Sequence, residues 1–220
     1  MAPKQLYIFD LDGTLVDAYA AIWKSLNFTL KRLGYPPVSF QNAKKNVGKG
    51  DKPFMEAFFR KRDIDKALKV YRKHHERSLR VYSKLRPYAK QLLSFLRKNK
   101  KRIAIASNRP SYFTDIIIKK LGLKQYVDYI LCADEIKSPK PDPKILNAIM
   151  DKFGARKKAT VFTGDMDIDL ETAKRAGVDA IFIKGGSSPL KDVKKYKNKK
   201  VVSSLKEIAR EERNAAVSHI

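Results

Sequence analysis

The sequence predicts an α/β protein: a doubly wound parallel sheet with an all-helical insert after its first strand. Three observations carry this. From residue 86 onward, short apolar runs rich in strand-favouring residues alternate with amphipathic stretches of helical period, the pattern of βαβ units with right-handed crossovers. Residues 17–85 break that rhythm and offer no convincing strand. Ahead of them, Leu6-Tyr7-Ile8-Phe9 is a compact apolar run cut off by Asp10-Leu11-Asp12-Gly13, a buried strand followed by a turn. The expected division is residues 1–15 and 86–220 for the sheet, with 16–85 inserted between them.

The elements follow in order. Asp17 to Leu33 reads as an amphipathic helix stopped by Gly34 and Pro36-Pro37. Lys52 to Arg62 and Ile64 to Tyr82 carry Phe, Leu, Val and Tyr at helical spacing. Beyond the insert, Pro87 to Lys98 is a helix with Leu92, Leu93, Phe95 and Leu96 on its apolar side, followed by a strand over Ile103–Ser107. Pro110 to Leu121 is helical, Tyr129–Cys132 a strand, Pro143 to Phe153 a helix, Val161–Thr163 a strand and Ile168 to Ala176 a helix. Gly122, Gly154 and Gly177 follow the three helices as stop signals. Ala180–Ile183 and Val201-Val202 complete the strands, and Ser204-x-x-Glu207 opens a terminal helix as a capping box.

Composition narrows the setting. At 220 residues the chain is long enough for a substantial core. A single cysteine, Cys132, excludes an internal disulfide, fits a reducing compartment and reads as a buried structural thiol. No secretory signal precedes the first strand, and no apolar stretch approaches the roughly 20 residues that span a bilayer; a soluble, cytoplasmic protein is expected. Lys and Arg number 48 against 23 Asp and Glu, a net charge of +25. Residues 16–85 hold 17 basic and 6 acidic residues, the denser share of that excess. Such a surface attracts small phosphorylated anions and polyanions alike. Aromatic-basic interleaving and known nucleic-acid motifs are missing, so nucleic acid is a possible but not a favoured partner. His74-His75 lies in the last helix of the insert; adjacent histidines diverge by about 100° on a helix, and no helically spaced ligand pair accompanies them, which argues against a metal site there.

The chemistry-bearing residues sit where strands end, the edge at which open α/β sheets bind ligands. Asp10 and Asp12, spaced i and i+2 where the first strand unwinds, can divide the work: one attacks, the other serves a leaving group or a water. Three later segments, each at a strand end or the start of the next helix, supply Ser107-Asn108, Lys140 within Ser138-Pro139-Lys140-Pro141, and Gly164-Asp165 with Asp169 four residues on. These four signatures, in this order, resemble those of the haloacid dehalogenase superfamily of phosphohydrolases, and Ala173-Lys174-Arg175-Ala176-Gly177 also looks like that family's next helix. The helical insert is similar to the small cap that one branch of the family places over its active site as a mobile lid, with hinges expected near Val16–Asp17 and Ser83–Pro87.

The resemblance implies an enzyme, a phosphoric monoester hydrolase. Asp10 would be the nucleophile forming an aspartyl-phosphate, and Asp12 the acid that protonates the leaving alcohol and then the base that takes a proton from water. Lys140 and Ser107 would meet the phosphoryl oxygens, with Asn108 and Arg109 extending that cradle or, for Arg109, standing in solvent. Mg²⁺ would be held by the Asp10 and Asp165 carboxylates and the Asp12 main-chain carbonyl, while Asp169 orients the metal's waters or Lys140. Asp167 reads as a surface or capping residue. An aspartate at Asp12 separates the chain from the dehalogenase branch. The layout looks most like phosphoglycolate phosphatases, so the expected partner is a small phosphorylated metabolite, the chain being a monomer or dimer. A sugar phosphomutase of the β-phosphoglucomutase type and a nucleic-acid-associated phosphatase are the alternatives. Within the insert, Val47-Gly48-Lys49-Gly50-Asp51-Lys52 is the candidate specificity loop: two glycines allow close backbone approach, and Lys49 is the expected substrate contact.

Overall fold

The computed structural model describes residues 4–197 and 199–217. The chain runs β1 (Leu6–Phe9), β2 (Val16–Asp17), α1 (Tyr19–Arg32), α2 (Phe40–Lys45), α3 (Asp51–Glu56), α4 (Ile64–Tyr82), β3 (Lys84–Leu85), α5 (Ala89–Lys98), β4 (Arg102–Ser107) and α6 (Ser111–Leu121). It continues β5 (Tyr129–Cys132), α7 (Ala133–Ile136), α8 (Lys144–Phe153), β6 (Thr160–Gly164), α9 (Asp167–Ala176), β7 (Asp179–Ile183), α10 (Leu190–Val193), β8 (Lys199–Val202) and α11 (Leu205–Val217). Six strands form one parallel sheet in the order β5-β4-β1-β6-β7-β8.

β1 lies in the interior of the sheet, paired with Arg102–Ile105 of β4 on one side and Thr160–Thr163 of β6 on the other. Its side chains alternate as a pleated strand requires. Tyr7 and Phe9 join Ile103, Ile105, Val161 and Ile181 in a core closed by α5, α6 and α11. Leu6 and Ile8 join Ala104, Ala106, Phe162 and Phe182 under α8 and α9. Both faces of the sheet are therefore dry, as a doubly wound architecture demands. The carboxyl ends of β1, β4 and β6 finish side by side, so the residues after them share one edge.

The helices between β2 and β3 build a hydrophobic cluster of their own, whose buried members all lie between Tyr19 and Tyr71. α4 presents Leu68, Tyr71, His75, Ser78 and Leu79 as its buried stripe, at the i, i+3, i+7, i+10 and i+11 positions of a single helical face. The expected helix from Asp17 starts later, because Val16 and Asp17 pair antiparallel with Leu85 and Lys84. That two-residue ribbon joins the entry and exit of the helical segment, and a pair so short leaves no periodicity in the sequence. The expected helix over 52–62 is confined to α3, while α2 was not expected; Ser39 caps it by accepting from the Asn42 amide at 3.2 Å.

Candidate active site

Asp10 is set by the backbone before its side chain is considered: its amide donates to the Thr163 carbonyl at 2.8 Å, continuing the β1–β6 ladder one residue past the strand. The chain then turns sharply, with the Leu15 and Val16 amides both returning to the Leu11 carbonyl. Gly13 makes this possible at φ +84°, a left-handed conformation that glycine adopts without a steric penalty. A side chain there would collide with Tyr19 and Asp165.

Lys140 reaches this edge from the segment before α8 and is almost wholly enclosed. Its Nζ donates to Asp10 Oδ1 at 2.6 Å, to Asp169 Oδ1 at 2.7 Å and to the Ala106 carbonyl at 3.2 Å. Asp165 accepts from Thr14 Oγ1, the Tyr19 hydroxyl and the Ser187 amide, at 3.0, 3.0 and 2.8 Å. Asp169, in the first turn of α9, accepts from the Met166 amide at 3.0 Å. Carboxylate oxygens of Asp10, Asp165 and Asp169 lie within 4.8 Å of one another, all three residues buried. Three carboxylates thus face one lysine, and the electrostatics show the shortage. Burial, and the neighbouring Asp169 and Asp165 charges, hold Asp10 well above the usual carboxylate range despite Lys140. Burial and Asp169 push Asp165 up to about 6. Burial works against the Lys140 charge, but Asp10 and Asp169 outweigh it and hold Lys140 above the ordinary lysine range. A hard dication fits this cluster, because its donors are carboxylate oxygens and its buried charge is negative.

The structure brings Asp10, Asp12, Ser107, Asn108 and Lys140 to one cavity of about 60 Å³, and the helical segment closes it with Ile22, Gly48, Phe54, Tyr71 and His75 among others. Asp165 and Asp169 stand behind its floor, bonded as described. Three sequence expectations are corrected. Arg109 is not solvated: it is buried, with Nε and Nη2 forked onto both oxygens of Asp12 at 2.7 and 2.9 Å and Nη1 2.8 Å from His75 Nε2. Asn108 does not extend a phosphate cradle with its amide, which is committed to protein: Nδ2 donates to the carbonyls of Gly48 and Lys140, and Oδ1 accepts from the Lys140 amide at 2.7 Å. Lys49 does not enter the cavity. The loop approaches through Val47, Gly48, Gly50 and Asp51, while Lys49 and Lys52 are exposed, where hydration favours an ammonium over an enclosed wall.

Ser107 is buried at the end of β4, its Oγ accepting from the Arg109 amide at 3.1 Å. Asp167 is the first residue of α9 and accepts from the Ile168 amide at 2.9 Å, whereas the capping contact at this helix start is made by Asp169 to the Met166 amide. Tyr19, Thr14, Tyr71 and His75 were not singled out as site residues from the sequence. For Tyr71 and His75 the signal was present in the buried stripe of α4; for Tyr19 and Thr14 only the folded turn reveals the contact with Asp165.

Fold and site together place the chain among doubly wound α/β enzymes with an acidic, lysine-bridged site at the carboxyl edge of the sheet. More narrowly, it belongs to the haloacid dehalogenase-like hydrolases, whose family model matches residues 7–183. Curated relatives include the phosphoglycolate phosphatase of Aquifex aeolicus, 31% identical over 173 residues covering 79% of this chain and 81% of that one. The phosphoglycolate phosphatase of Agrobacterium fabrum is 29% identical, covering 82% and 81%. Among solved structures, a haloacid dehalogenase-like family hydrolase from Streptococcus pneumoniae superposes with a TM-score of 0.87 at 20% identity, covering 96% of this chain and 99% of the other. CbbY from Rhodobacter sphaeroides, solved with phosphate, gives 0.80 at 18% identity, covering 93% and 96%. Among the described residues no helix is long and apolar enough to cross a membrane.

Proposed function

We propose that the protein is a Mg²⁺-dependent phosphatase that hydrolyses a small phosphorylated metabolite of the phosphoglycolate kind through an aspartyl-phosphate on Asp10. The observation that carries this reading is the Lys140 ammonium bridging Asp10 and Asp169 at the floor of the cavity, with Asp12 two residues further along the same turn. The names of the curated relatives support the substrate class, and a cavity of about 60 Å³ suits a leaving group of a few heavy atoms. A reducing, cytoplasmic setting belongs to the same reading, supported by a single cysteine that is free and buried.

Asp10 attacks the phosphorus as its ester bond breaks, and Asp12 gives a proton to the leaving oxygen. Asp12 then accepts a proton from the water that attacks the aspartyl-phosphate, which returns Asp10 to its carboxylate. Lys140 fixes the Asp10 carboxylate in place and offsets charge on the equatorial oxygens, where phosphoryl transfer concentrates it. Ser107 adds a hydroxyl donor, its oxygen being held by the Arg109 amide. The Asp10 and Asp165 carboxylates and the Asp12 carbonyl would hold Mg²⁺, which when bound would supply positive charge to offset three buried carboxylates and a dianionic ester. Asp169 also accepts from the Lys140 ammonium, at 2.7 Å, and so fixes its position.

Residues 16–85 act in this reading as a cap over the site, hinged at the β2–β3 ribbon. Two features support it: the helical segment has its own hydrophobic cluster, and it roofs the cavity with Gly48, Tyr71 and His75. The experiment is direct. Asp10→Asn should remain folded and lose turnover of p-nitrophenyl phosphate and of 2-phosphoglycolate; a folded variant working near the wild-type rate removes Asp10 from the role of nucleophile.

A further inference from the structure

Arg109 has no task in the chemistry above, yet it is buried in the cavity wall with its side chain only 7% exposed. Its guanidinium spans two partners of opposite character. On one side both oxygens of Asp12 accept its fork. On the other, Nη1 meets His75 Nε2 at 2.8 Å. An imidazole that accepts at Nε2 keeps its proton on Nδ1, here 3.1 Å from Ser25 Oγ. The ring is clamped between Tyr71, stacked at 4.7 Å, and Phe113, edge-on at 5.1 Å. Burial, then the Arg109 charge, holds His75 well below the ordinary histidine range, so it stays a neutral acceptor. Arg109 therefore leans on a fixed, uncharged support and grips a carboxylate that the reaction needs elsewhere.

The conflict is geometric. A carboxylate with both oxygens accepting from a guanidinium fork has no proton to give and cannot rotate toward an ester oxygen. Asp12 must be released before it can act. Arg109 and Asp12 line the same cavity that the leaving group enters, and a leaving group with its own carboxylate presents the planar, two-oxygen acceptor that an arginine fork matches.

We propose that Arg109, backed by His75, reads an anionic group on the leaving alcohol and latches Asp12 until that group arrives. This rests on the phosphatase reading given above. The substrate carboxylate takes over the fork, so the guanidinium is never left unpaired. Asp12, released, takes a proton from solvent and passes it to the leaving oxygen while the Asp10–phosphorus bond forms and the ester bond breaks. It then takes one proton from the attacking water. When the products depart it gives that proton back to solvent, and the fork returns to it. Arg109 is a specificity residue and a latch; His75 is a positioning residue that keeps the guanidinium in place during the exchange.

The test compares 2-phosphoglycolate with 2-hydroxyethyl phosphate, in which an uncharged CH₂OH replaces the carboxylate. The wild-type enzyme should prefer the charged ester by tenfold or more in kcat/KM. Arg109→Gln and Arg109→Ala should lower kcat/KM for 2-phosphoglycolate by roughly 10- to 100-fold and raise turnover of the uncharged ester, because Asp12 is no longer held. His75→Asn should raise KM for the charged ester more than it lowers kcat. Equal losses on both esters would mean that Arg109 only supports the fold, and would overturn the latch. A measurement on the wild-type enzyme avoids any folding defect: formate should accelerate methyl phosphate hydrolysis saturably, since the two molecules are the charged substrate cut in two at its carbon–carbon bond. A rate that formate leaves flat or lowers also overturns the proposal. Hydrolysis of neither ester would instead overturn the phosphatase reading, whereas hydrolysis of both, dependent on Asp10 and without preference, overturns only the latch.

Discussion

Lys140→Met tests whether the acidic cluster is held together by one buried ammonium. Methionine keeps the length and apolar stem of the side chain and removes the charge. The lysine makes three contacts, to Asp10, Asp169 and the Ala106 carbonyl, and its side chain is 2% exposed, so solvent cannot replace them. Removing one partner of a buried ion pair costs about 3–5 kcal/mol, which for a domain of this size is roughly 6–20 °C in Tm. The sign with pH follows from the carboxylates. Asp165, pushed up to about 6, and Asp10, also raised, bind protons more tightly folded than unfolded. Their contribution is fully present below the unfolded carboxylate value and is lost as pH rises through the folded one. The Asp165 share is lost between about pH 4 and 6. In EDTA the Lys140→Met deficit should therefore be smallest near pH 5 and largest near pH 8, and Mg²⁺ should restore part of it at pH 8. Scanning calorimetry at both pH values, with and without Mg²⁺, gives the answer. A variant as stable as wild type at pH 8 in EDTA would refute the charge coupling of the cluster.

Chelation should abolish hydrolysis and Mg²⁺ restore it, with Asp165→Ala needing a higher Mg²⁺ concentration; full activity in excess EDTA would contradict a cation in the cluster. Lys49→Ala and Lys52→Ala should each change kcat/KM by less than about twofold on any ester, because exposed charges contribute little; a tenfold loss confined to 2-phosphoglycolate would show that the loop reorients over the substrate. Burial pushes the Cys132 thiol up to about 12, so at pH 8 a thiol reagent such as DTNB should fail to label the native protein and should titrate one thiol after unfolding; rapid native labelling would place β5 nearer the surface.

The parallel sheet was legible because each strand is a short apolar run between helices with Gly or Pro boundaries, and two dry faces demand that composition. The ribbon of β2 and β3 escaped because two residues carry no period. The acidic and lysine residues were legible through the resemblance of four ordered signatures to the haloacid dehalogenase superfamily; the topology sets Asp10 and Asp165 at neighbouring strand ends, and Lys140 reaches them from the segment before α8. Burial was not legible. Arg109 follows Ser107-Asn108 in the sequence as any solvated arginine would, and only the approach of α4 turns it into an enclosed cation. Lys49 failed for the opposite reason: its glycine neighbours do approach the cavity, but a charge between them gains more from water than from the wall. His75 was judged as a metal ligand and set aside, when its place on the buried stripe of α4 already pointed it inward.

The interior position of β1 also bears on how the chain comes to fold. Its four residues are apolar and completely covered, yet the backbone partners that cover them are residues 102–105 and 160–163. Until both arrive, Leu-Tyr-Ile-Phe is an uncapped strand with two open edges, the kind of segment that seeks pairing with other chains. Such distant pairing slows folding, because loop closure precedes any gain from contact. The strand that positions Asp10 is consequently left without its partners until late in assembly. Fragments ending before residue 160 should aggregate through it, and an excess of positive charge along the rest of the chain is the means at hand for keeping such chains apart.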